Sequence, residues 1–359
     1  MTTKYTEVHP RFKINGISCN AAELREIGYC LIKEGEAFEI PFGDFLLDWL
    51  NDKPTISVKT SGSTGKPKTV ILQKDHMINS ALATAEFFNL EEGDTVLHCL
   101  PASYIAGKMM LVRAIVLGLR LDYVEPTSTP LVSVTKSYKF GAMVPLQLEN
   151  SLDKIEQINT LIVGGAPISE QLKDKIQLLN NEIYETYGMT ETVSHIAIRK
   201  LSQNRNNKEH DFVLLPNISI QSDDRGCLVI DAPMLSEETI VTNDLVQISN
   251  EKEFKWLGRY DNIINSGGVK LIPEEIESKL ASYISSRFFV KGMPDDALGE
   301  KLVLFVEGNG IDKSILEDLK SSGTLENFEI PKELVNIPKF AETGNGKLDR
   351  KKTLKLITT

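Results

Sequence analysis

The sequence has few cysteines and no excess of positive charge. Its 359 residues include four cysteines and five histidines, and the 50 acidic residues outnumber the 40 lysines and arginines. Cysteines this sparse and scattered exclude a disulfide scaffold and provide no zinc-ligand spacing, so we expect reduced thiols. The formal net charge of −10 argues against a general nucleic-acid or membrane-surface binder, because such proteins need a dominant basic field.

Long hydrophobic runs are also missing. The N-terminal segment MTTKYTEVHPRFKIN lacks the apolar core of a signal peptide. The most apolar helical stretch, 106–119, contains Lys108 and Arg113 and is too short to cross a bilayer. We therefore expect a cytoplasmic protein with no membrane partner. Its composition, 41% hydrophobic and 25% charged, is ordinary for a globular chain, and its length allows two domains.

Short β-rich runs alternate with helical patterns, which predicts a layered α/β fold with largely parallel strands. Apolar residues at helical spacing predict helices over 76–88 and 106–117, the second ending at Gly118. The predicted strands are 95–100, 120–124, 141–144, 160–163 and 182–185.

After about residue 210 the pattern changes to short strands with polar turns, which predicts antiparallel hairpins around 223–226. A turn-rich bridge over 258–268 then leads to a helix that begins at Pro273. We predict a large α/β domain over 1–260 with a small β-rich subdomain, followed by a small α+β domain over 261–359.

The strongest local signal is TSGSTGKPK, which lies between the β-type runs TISVK and TVIL. Glycines let the backbone approach a phosphate, while hydroxyls and lysines contribute donors and positive charge. It differs from the P-loop of ordinary NTPases in its glycine spacing and in Pro67, which stands where that motif has Ser or Thr. From these residues alone, a flexible Ser/Gly hairpin turn is the alternative. The predicted phosphate loop consists of Thr60, Ser61, Gly62, Ser63, Thr64, Gly65, Lys66 and Lys68.

This loop resembles the signature of the adenylate-forming superfamily, the AMP-binding enzymes that include the acyl-CoA synthetases. Other segments resemble further motifs of that family and follow in its order, from residue 60 to residue 347, nearly the whole chain. They are VGGAP at 163–167, YGMTET at 187–192, TND at 242–244, GRYDNIINSGGVK at 258–270 and GNGK at 344–347. The resemblance implies a large adenylation domain and a mobile C-terminal domain.

The resemblance implies an adenine site on two of these segments. The turn of Gly164, Gly165 and Ala166 would lie along the adenine, and the ring of Tyr187, beside Gly188, would stack on it.

Further roles implied by the resemblance concern ribose, phosphate and metal. Asp244 would bind the ribose hydroxyls with Arg259 as a second donor, Thr190 would contact the α-phosphate, and Glu191 would hold Mg²⁺. Lys347 would enter the site as a catalytic residue during adenylation. Taken singly, Glu191 reads as a solvated loop acid, Asp244 as a turn residue and Lys347 as a surface lysine.

The resemblance also implies a second reaction with coenzyme A. The C-terminal domain would swing about a hinge acid, Asp261, and bring the segment that holds Gly267, Gly268 and Lys270 to the site as part of a coenzyme A tunnel.

The acid substrate is implied by a subfamily. YIAGKMMLVRA at 104–114 and GMTETVSHIA at 188–197 resemble the o-succinylbenzoate:CoA ligases of menaquinone biosynthesis. That acid keeps one carboxylate after activation, and a buried carboxylate needs cationic or hydrogen-bonding partners. The candidates are Lys108 and Arg113, with Ser194 and His195 as neutral donors and Tyr104 as a gate. The alternatives are lysine and arginine side chains that reach solvent, an ordinary buried histidine and a core aromatic.

Two departures from the family stand out. In many relatives the phosphate loop lies well over a hundred residues from the N-terminus, so the N-terminal subdomain here is expected to be truncated. The ribose triplet is Thr-Asn-Asp instead of Thr-Gly-Asp.

The expected activity is that of an AMP-forming acid:CoA ligase that uses ATP, Mg²⁺ and coenzyme A. Another acyl-CoA synthetase, a carrier-protein-loading enzyme and a non-catalytic nucleotide-binding relative are the alternatives, and oligomeric state is left open.

Overall fold

The computed structural model describes residues 5–59, 68–203, 210–308, 310, 312, 314–342 and 348–356. Its α-helices are α1 Ala21–Lys33, α2 Ile40–Trp49, α3 Lys74–Phe88, α4 Ile105–Leu117, α5 Pro145–Glu149, α6 Glu170–Ile176, α7 Pro273–Leu280, α8 Ile315–Ser322 and α9 Arg350–Lys355. Its strands are β1 Lys13–Ile14, β2 Ile17–Ser18, β3 Thr55–Lys59, β4 Thr69–Gln73, β5 Thr95–His98, β6 Arg120–Tyr123, β7 Tyr138–Met143, β8 Ile158–Val163, β9 Glu182–Gly188, β10 His195–Lys200, β11 Phe212–Leu214, β12 Ser219–Ser222, β13 Cys227–Asp231, β14 Ile240–Asn250, β15 Glu253–Arg259, β16 Ile264–Ser266, β17 Val269–Leu271, β18 Phe288–Asp295, β19 Gly299–Glu307 and β20 Glu333–Ile337.

Most strands before residue 260 join one sheet. Within the described ranges it has 13 strands in the order β12-β13-β14-β15-β11-β10-β9-β8-β7-β5-β6-β1-β2. The neighbours from β9 through β6 to β1 are parallel, whereas those from β9 to β12 are antiparallel. The expectation of largely parallel strands therefore holds for only half of the sheet, because hairpin turns join most of the later strands and such turns force antiparallel pairing.

Alternating side chains of the parallel strands bury two separate layers. Val96 and Ile162 pack in one core with residues of α3 and α4, while Leu97 and Leu161 pack in a second core with residues of α6. This is the period-two pattern of strands covered on both faces. Since helices occupy both faces, the carboxyl-end edge of the parallel strands is left as the place for a ligand.

The predicted helices and strands of this region are confirmed, with ends that shift by up to three residues. Helix α4 ends where predicted because Gly118 adopts φ of 71°, a left-handed conformation that glycine reaches at low cost. Strands β3 and β4 form an antiparallel hairpin whose last described pair is Lys59 and Thr69. The predicted phosphate loop therefore connects the two strands of this hairpin.

The later part of the chain forms a second α+β unit. Strands β16 to β20 make their own sheet, with α7 beginning at Pro273 as predicted. Leu304 faces a core shared with α7 and α8, whereas Phe305 faces a smaller core with Phe340. The two units touch where the Gln171 side-chain amide donates to the Ile284 carbonyl (3.3 Å).

Among the described residues, no helix combines the length and apolarity needed to span a bilayer.

His98, at the end of β5, is a buried histidine in the core of the large unit. Its ring is 3% exposed and packs edge-on against Phe42 with centroids 5.5 Å apart. Within the described chain its Nδ1 has no hydrogen-bond partner. Burial lowers the pKa of His98 to about 4, so the folded protein keeps this ring neutral.

This burial predicts a loss of stability in acid. Below the ordinary histidine pKa, His98 is protonated in the unfolded chain but stays neutral in the folded chain. The free energy of unfolding therefore falls by roughly 3 kcal/mol as the pH drops from about 6.5 to 4. We expect urea unfolding of His98→Leu to show a correspondingly smaller fall than the wild type. His210→Leu, at an exposed position, controls for the loss of one histidine. Equal pH dependence in wild type and His98→Leu would contradict this assignment.

Candidate nucleotide and acid site

The turn after β8 and the end of β9 lie together at the carboxyl edge of the parallel sheet. Gly164, Gly165 and Ala166 follow β8, which pairs in parallel with β9. A Cβ at Gly164 would clash with the Thr186 side chain, whose hydroxyl donates to the Val163 carbonyl (3.2 Å). The glycine thus permits a close approach of the two segments that the family resemblance assigns to adenine.

Tyr187 links this edge to the antiparallel half of the sheet. Its hydroxyl donates to Asp244 Oδ2 (2.8 Å), and Arg259 Nη1 lies 3.5 Å from Asp244 Oδ1. The ring packs against Phe212 and Phe254 with centroids 5.8 and 5.3 Å away. Burial, followed by the charge of Asp244, raises the pKa of the Tyr187 phenol, so the phenol stays protonated and acts as a donor. The structure thus brings together the residues expected at adenine and ribose.

A tight turn separates Glu191 from Ser194. Thr190 and Glu191 lie in a 3-10 turn with Glu191 exposed, and Val193 follows with φ of 66° and ψ of −50°. The Ser194 N–H donates to the carbonyl two residues earlier (2.7 Å), as in a γ-turn, a strained conformation for a β-branched residue. A Cβ at Gly188 would clash with the Ser194 carbonyl. The turn sends Glu191 toward solvent and Ser194 toward the interior.

Arg113 is the central charge of a cluster of buried and half-buried polar side chains with Thr84, Ser194 and His195, which we call the acid pocket. It is 2% exposed, its Nε donates to Thr84 Oγ1 (3.2 Å), and its Nη2 donates to Ser194 Oγ (2.9 Å). No carboxylate of the described chain forms an ion pair with it. Burial lowers the pKa of Arg113 to about 10, so the guanidinium remains a cation at neutral pH. A buried charge without a counter-charge is costly, which makes this a position for an anionic ligand.

His195 completes the pocket as a neutral group. It is 5% exposed, its Nδ1 lies 3.2 Å from Ser194 Oγ, and its Nε2 is buried without a partner among the described residues. Burial, and then the charge of Arg113, holds the pKa of His195 well below its usual value. Arg113, Ser194 and His195, all predicted for the acid site, therefore meet in one place. Thr84 was missed, although a polar residue on the apolar stripe of α3 was a signal for it.

Lys108 does not join this pocket. Its ammonium lies 4.7 Å from the ring centroid of Phe45 in α2, near the carboxylates of Asp44 and Asp48. Burial lowers the pKa of Lys108, and those carboxylates partly oppose the effect. Five residues correspond to a rotation of about 140° around a helix, so Lys108 and Arg113 lie on different sides of α4.

Tyr104 marks the N-terminal end of α4. It is the capping residue and is 39% exposed. A Cβ at Gly107 would clash with the Pro101 carbonyl, so this glycine lets the helix start against the preceding loop. The residue predicted as a gate is therefore at the protein surface, whereas Arg113 is buried.

The predicted hinge acid lies between the two sheets. Asp261 sits in the 3-10 turn Tyr260–Asn262, which follows β15 and precedes β16. Its carboxylate accepts from Asn243 Nδ2 (3.2 Å) and Arg259 Nη2 (3.4 Å). Asn243 also accepts from Arg225 Nη1 (2.9 Å). The asparagine that replaces the family's glycine thus contacts the hinge acid, a connection that the sequence did not indicate.

The predicted coenzyme A segment is an exposed hairpin. Gly267 and Gly268 have φ of 60° and 85° and form the two-residue turn between β16 and β17. Two consecutive positive φ angles explain the glycine pair. Lys270 lies on the exposed strand that follows.

Two predicted parts of the site lie outside the described residues. They are Lys347 and the phosphate-loop residues Thr60, Ser61, Gly62, Ser63, Thr64, Gly65 and Lys66; Lys68 is described. Near Lys347, Glu342 and Leu348 form a β-bridge, and Arg350 Nη2 donates to Glu277 Oε2 (2.8 Å) in α7.

A magnesium ion fits the site only as part of a nucleotide complex. No group of three or more possible metal ligands occurs in the described parts of the chain. Mg²⁺ is commonly held by one or two carboxylates together with substrate phosphates, and the single exposed carboxylate of Glu191 fits that use.

Comparison with known sequences identifies a family and named relatives. The AMP-binding enzyme family matches residues 51–229. A Listeria monocytogenes protein named 2-succinylbenzoate–CoA ligase is 26% identical over 364 residues, which cover 94% of this chain and 75% of that protein. A Bacillus cereus protein of the same name is 26% identical over 341 residues, covering 84% and 69%.

Solved structures share the fold. The o-succinylbenzoate CoA synthetase of Bacillus subtilis in complex with the acyl-adenylate intermediate OSB-AMP has a TM-score of 0.74 at 20% identity, with 91% of this chain and 80% of that chain covered. An acyl-CoA synthetase (AMP-forming)/AMP-acid ligase II-like protein from Dyadobacter fermentans has a TM-score of 0.61 at 34% identity, with 93% and 98% covered.

The last match, at 34% identity, spans nearly the whole of both chains. This protein therefore belongs to the AMP-binding enzyme family, that of the AMP-forming acyl-CoA synthetases.

Proposed function

We propose that the protein is an ATP-dependent acid:CoA ligase whose acid carries a second carboxylate, as o-succinylbenzoate does, and that it acts in menaquinone biosynthesis. The observation that carries the substrate proposal is Arg113, a buried cation that no described carboxylate neutralises. An acid that is activated at one carboxylate and anionic at the other would supply the counter-charge. The names of the Listeria and Bacillus relatives support this choice of acid.

The first reaction would take place at the sheet edge. A carboxylate oxygen of the acid attacks the α-phosphorus of ATP, the acyl-adenylate forms, and pyrophosphate leaves with the electrons of the broken bond. Negative charge builds on the phosphoryl oxygens, so Lys66, Lys68 and Lys347 are proposed to stabilise it, with Thr190 as a donor and Glu191 holding Mg²⁺.

The second reaction would use coenzyme A. Its thiol gives up its proton to solvent as the sulfur attacks the acyl carbon; the bond from that carbon to the phosphate oxygen breaks, AMP leaves with the electron pair, and the thioester forms. The proposed arrangement has a domain over 1–260 that binds ATP and acid, and a mobile domain over 261–359 that turns at Asp261 to present Gly267, Gly268 and Lys270. A cytoplasmic location is part of the proposal, supported by the unpaired state of all four cysteines.

An acid screen separates this function from its rivals. Purified protein with ATP, Mg²⁺ and coenzyme A should release free succinylbenzoyl-CoA. Formation of adenylate without release of a free thioester would favour a carrier-loading enzyme. Acid-dependent pyrophosphate exchange should accompany turnover, and its absence across a broad panel of acids would favour a non-catalytic relative.

Arg113→Met tests the carboxylate anchor. We expect kcat/KM for o-succinylbenzoate to fall by about 100-fold, since loss of one member of a buried charge pair costs about 2 to 5 kcal/mol. Turnover of a benzoate without the second carboxylate should change little. Lys108→Met, on another side of the same helix, is the control and should affect both acids equally. Equal losses on both acids in Arg113→Met would remove the anchor.

Lys347→Ala tests whether this lysine is required for adenylation but not for transfer of the acyl group to coenzyme A. We expect acid-dependent pyrophosphate exchange to be lost, by about 100-fold or more as for other charge-stabilising groups. Transfer of the acyl group from chemically prepared adenylate to coenzyme A should continue at a rate close to that of the wild type. A folded variant in which both half-reactions fell together would contradict the two-conformation scheme. Lys351→Ala, close by in α9, is the matched control.

A further inference from the structure

The acid pocket is crossed by a continuous series of hydrogen bonds from α3 to β10. The Thr84 hydroxyl donates to the Ser80 carbonyl (2.9 Å), which leaves its oxygen lone pairs free to accept from Arg113 Nε (3.2 Å). Arg113 Nη2 then donates to Ser194 Oγ (2.9 Å), which lies 3.2 Å from His195 Nδ1. Thr84 is fully buried and Arg113 nearly so.

The direction of the hydrogen bond between Ser194 Oγ and His195 Nδ1 follows from the donors available. A guanidinium can only donate, so Ser194 Oγ accepts from Arg113 and still has its own proton to place. Among the described residues the remaining neighbour of that hydroxyl is His195 Nδ1. If Nδ1 donated instead, two groups would lack a described partner: the proton of the half-buried serine hydroxyl and the buried lone pair of Nε2. With Nδ1 as the acceptor only the Nε2–H group lacks one, so this arrangement leaves fewer polar groups unsatisfied.

A neutral imidazole that accepts at Nδ1 carries its proton on Nε2. Burial and the charge of Arg113 keep His195 neutral. Its Nε2 is buried and has no hydrogen-bond partner in the described chain. The pocket therefore holds an N–H donor without an acceptor beside a cation without a counter-charge. The oxygens of one anionic ligand would accept from the His195 Nε2–H group and neutralise the Arg113 guanidinium.

We propose that Thr84 is a positioning residue of the acid pocket: it orients Arg113 so that Ser194 donates to His195, and His195 then offers its Nε2–H to a carboxylate or keto oxygen of the bound acid. This inference rests on the proposed function for the identity of the ligand, but the proton position is a property of the free protein. Removal of the Thr84 acceptor would leave Arg113 Nε–H unsatisfied, so the guanidinium would turn away from Ser194.

The proton position can be measured without substrate. In protein labelled with ¹⁵N-histidine, we expect the ring nitrogens of His195 to show the Nε2–H tautomer, with the signal assigned by its loss in His195→Gln. Thr84→Val keeps the shape of the side chain but removes the acceptor, and should give a mixture of tautomers. Thr84→Ser should restore the wild-type signal. Ser80→Ala is the matched control in the same helix, because the buried Ser80 hydroxyl has no described partner.

Steady-state kinetics of the same variants are the second measurement. Thr84→Val should raise KM for o-succinylbenzoate about tenfold, the loss of roughly one buried hydrogen bond, with kcat within about twofold and little effect on a benzoate without the second carboxylate. Thr84→Ser and Ser80→Ala should resemble the wild type. If Thr84→Val does not fold, Ser194→Ala must show the tautomer mixture instead.

Some outcomes would overturn the proposal. A wild-type His195 protonated at Nδ1, or a Thr84→Val variant that matches Ser80→Ala in both measurements, would do so. A protein that shows a Thr84-dependent Nε2–H tautomer but makes no thioester from any dicarboxylic acid would support the hydrogen-bond series and reject the proposed function. The two claims therefore fail separately.

Discussion

The guanidinium of Arg113 lies between α3, α4 and the turn before β10, 2% exposed and without a carboxylate partner in the described chain. The hydroxyl oxygens of Thr84 and Ser194 accept hydrogen bonds from the guanidinium, but because they are neutral they leave its net charge in place. Such an arrangement costs stability unless a ligand completes it. The acid pocket is thus organised around a charge that no described carboxylate neutralises.

The two halves of the large sheet supply different parts of the site. Parallel pairing brings the ends of β8 and β9 to one edge, and the antiparallel strands β14 and β15 bring Asp244 and Arg259 beside Tyr187. The γ-turn at Val193 then separates the exposed Glu191 from the buried Ser194. We therefore propose that this single segment serves phosphate chemistry through Glu191 and acid recognition through Ser194.

Elements with a strong local cause could be predicted from the sequence. Helix α4 ends at Gly118 because that glycine supports a left-handed cap, and α7 begins at Pro273 because proline suits the first turn. The convergence of Arg113, Ser194 and His195 was also anticipated, from a resemblance rather than from local pattern. The sequence did not show which side of α4 faces the acid pocket. Helix α4 is apolar all round, so its periodicity does not distinguish Lys108 from Arg113. The contact of Asn243 with Asp261 depends on how two sheets meet, which no local pattern encodes.

The role of Arg113 as the carboxylate anchor is tested most directly by a crystal structure of the protein with the acyl-adenylate of o-succinylbenzoate. We expect the carboxylate left after activation to lie about 2.7 to 3.0 Å from nitrogens of the Arg113 guanidinium. A bound adenylate whose free carboxylate points to solvent or to another cation, with the Arg113 hydrogen bonds to Thr84 and Ser194 unchanged, would contradict this role of Arg113.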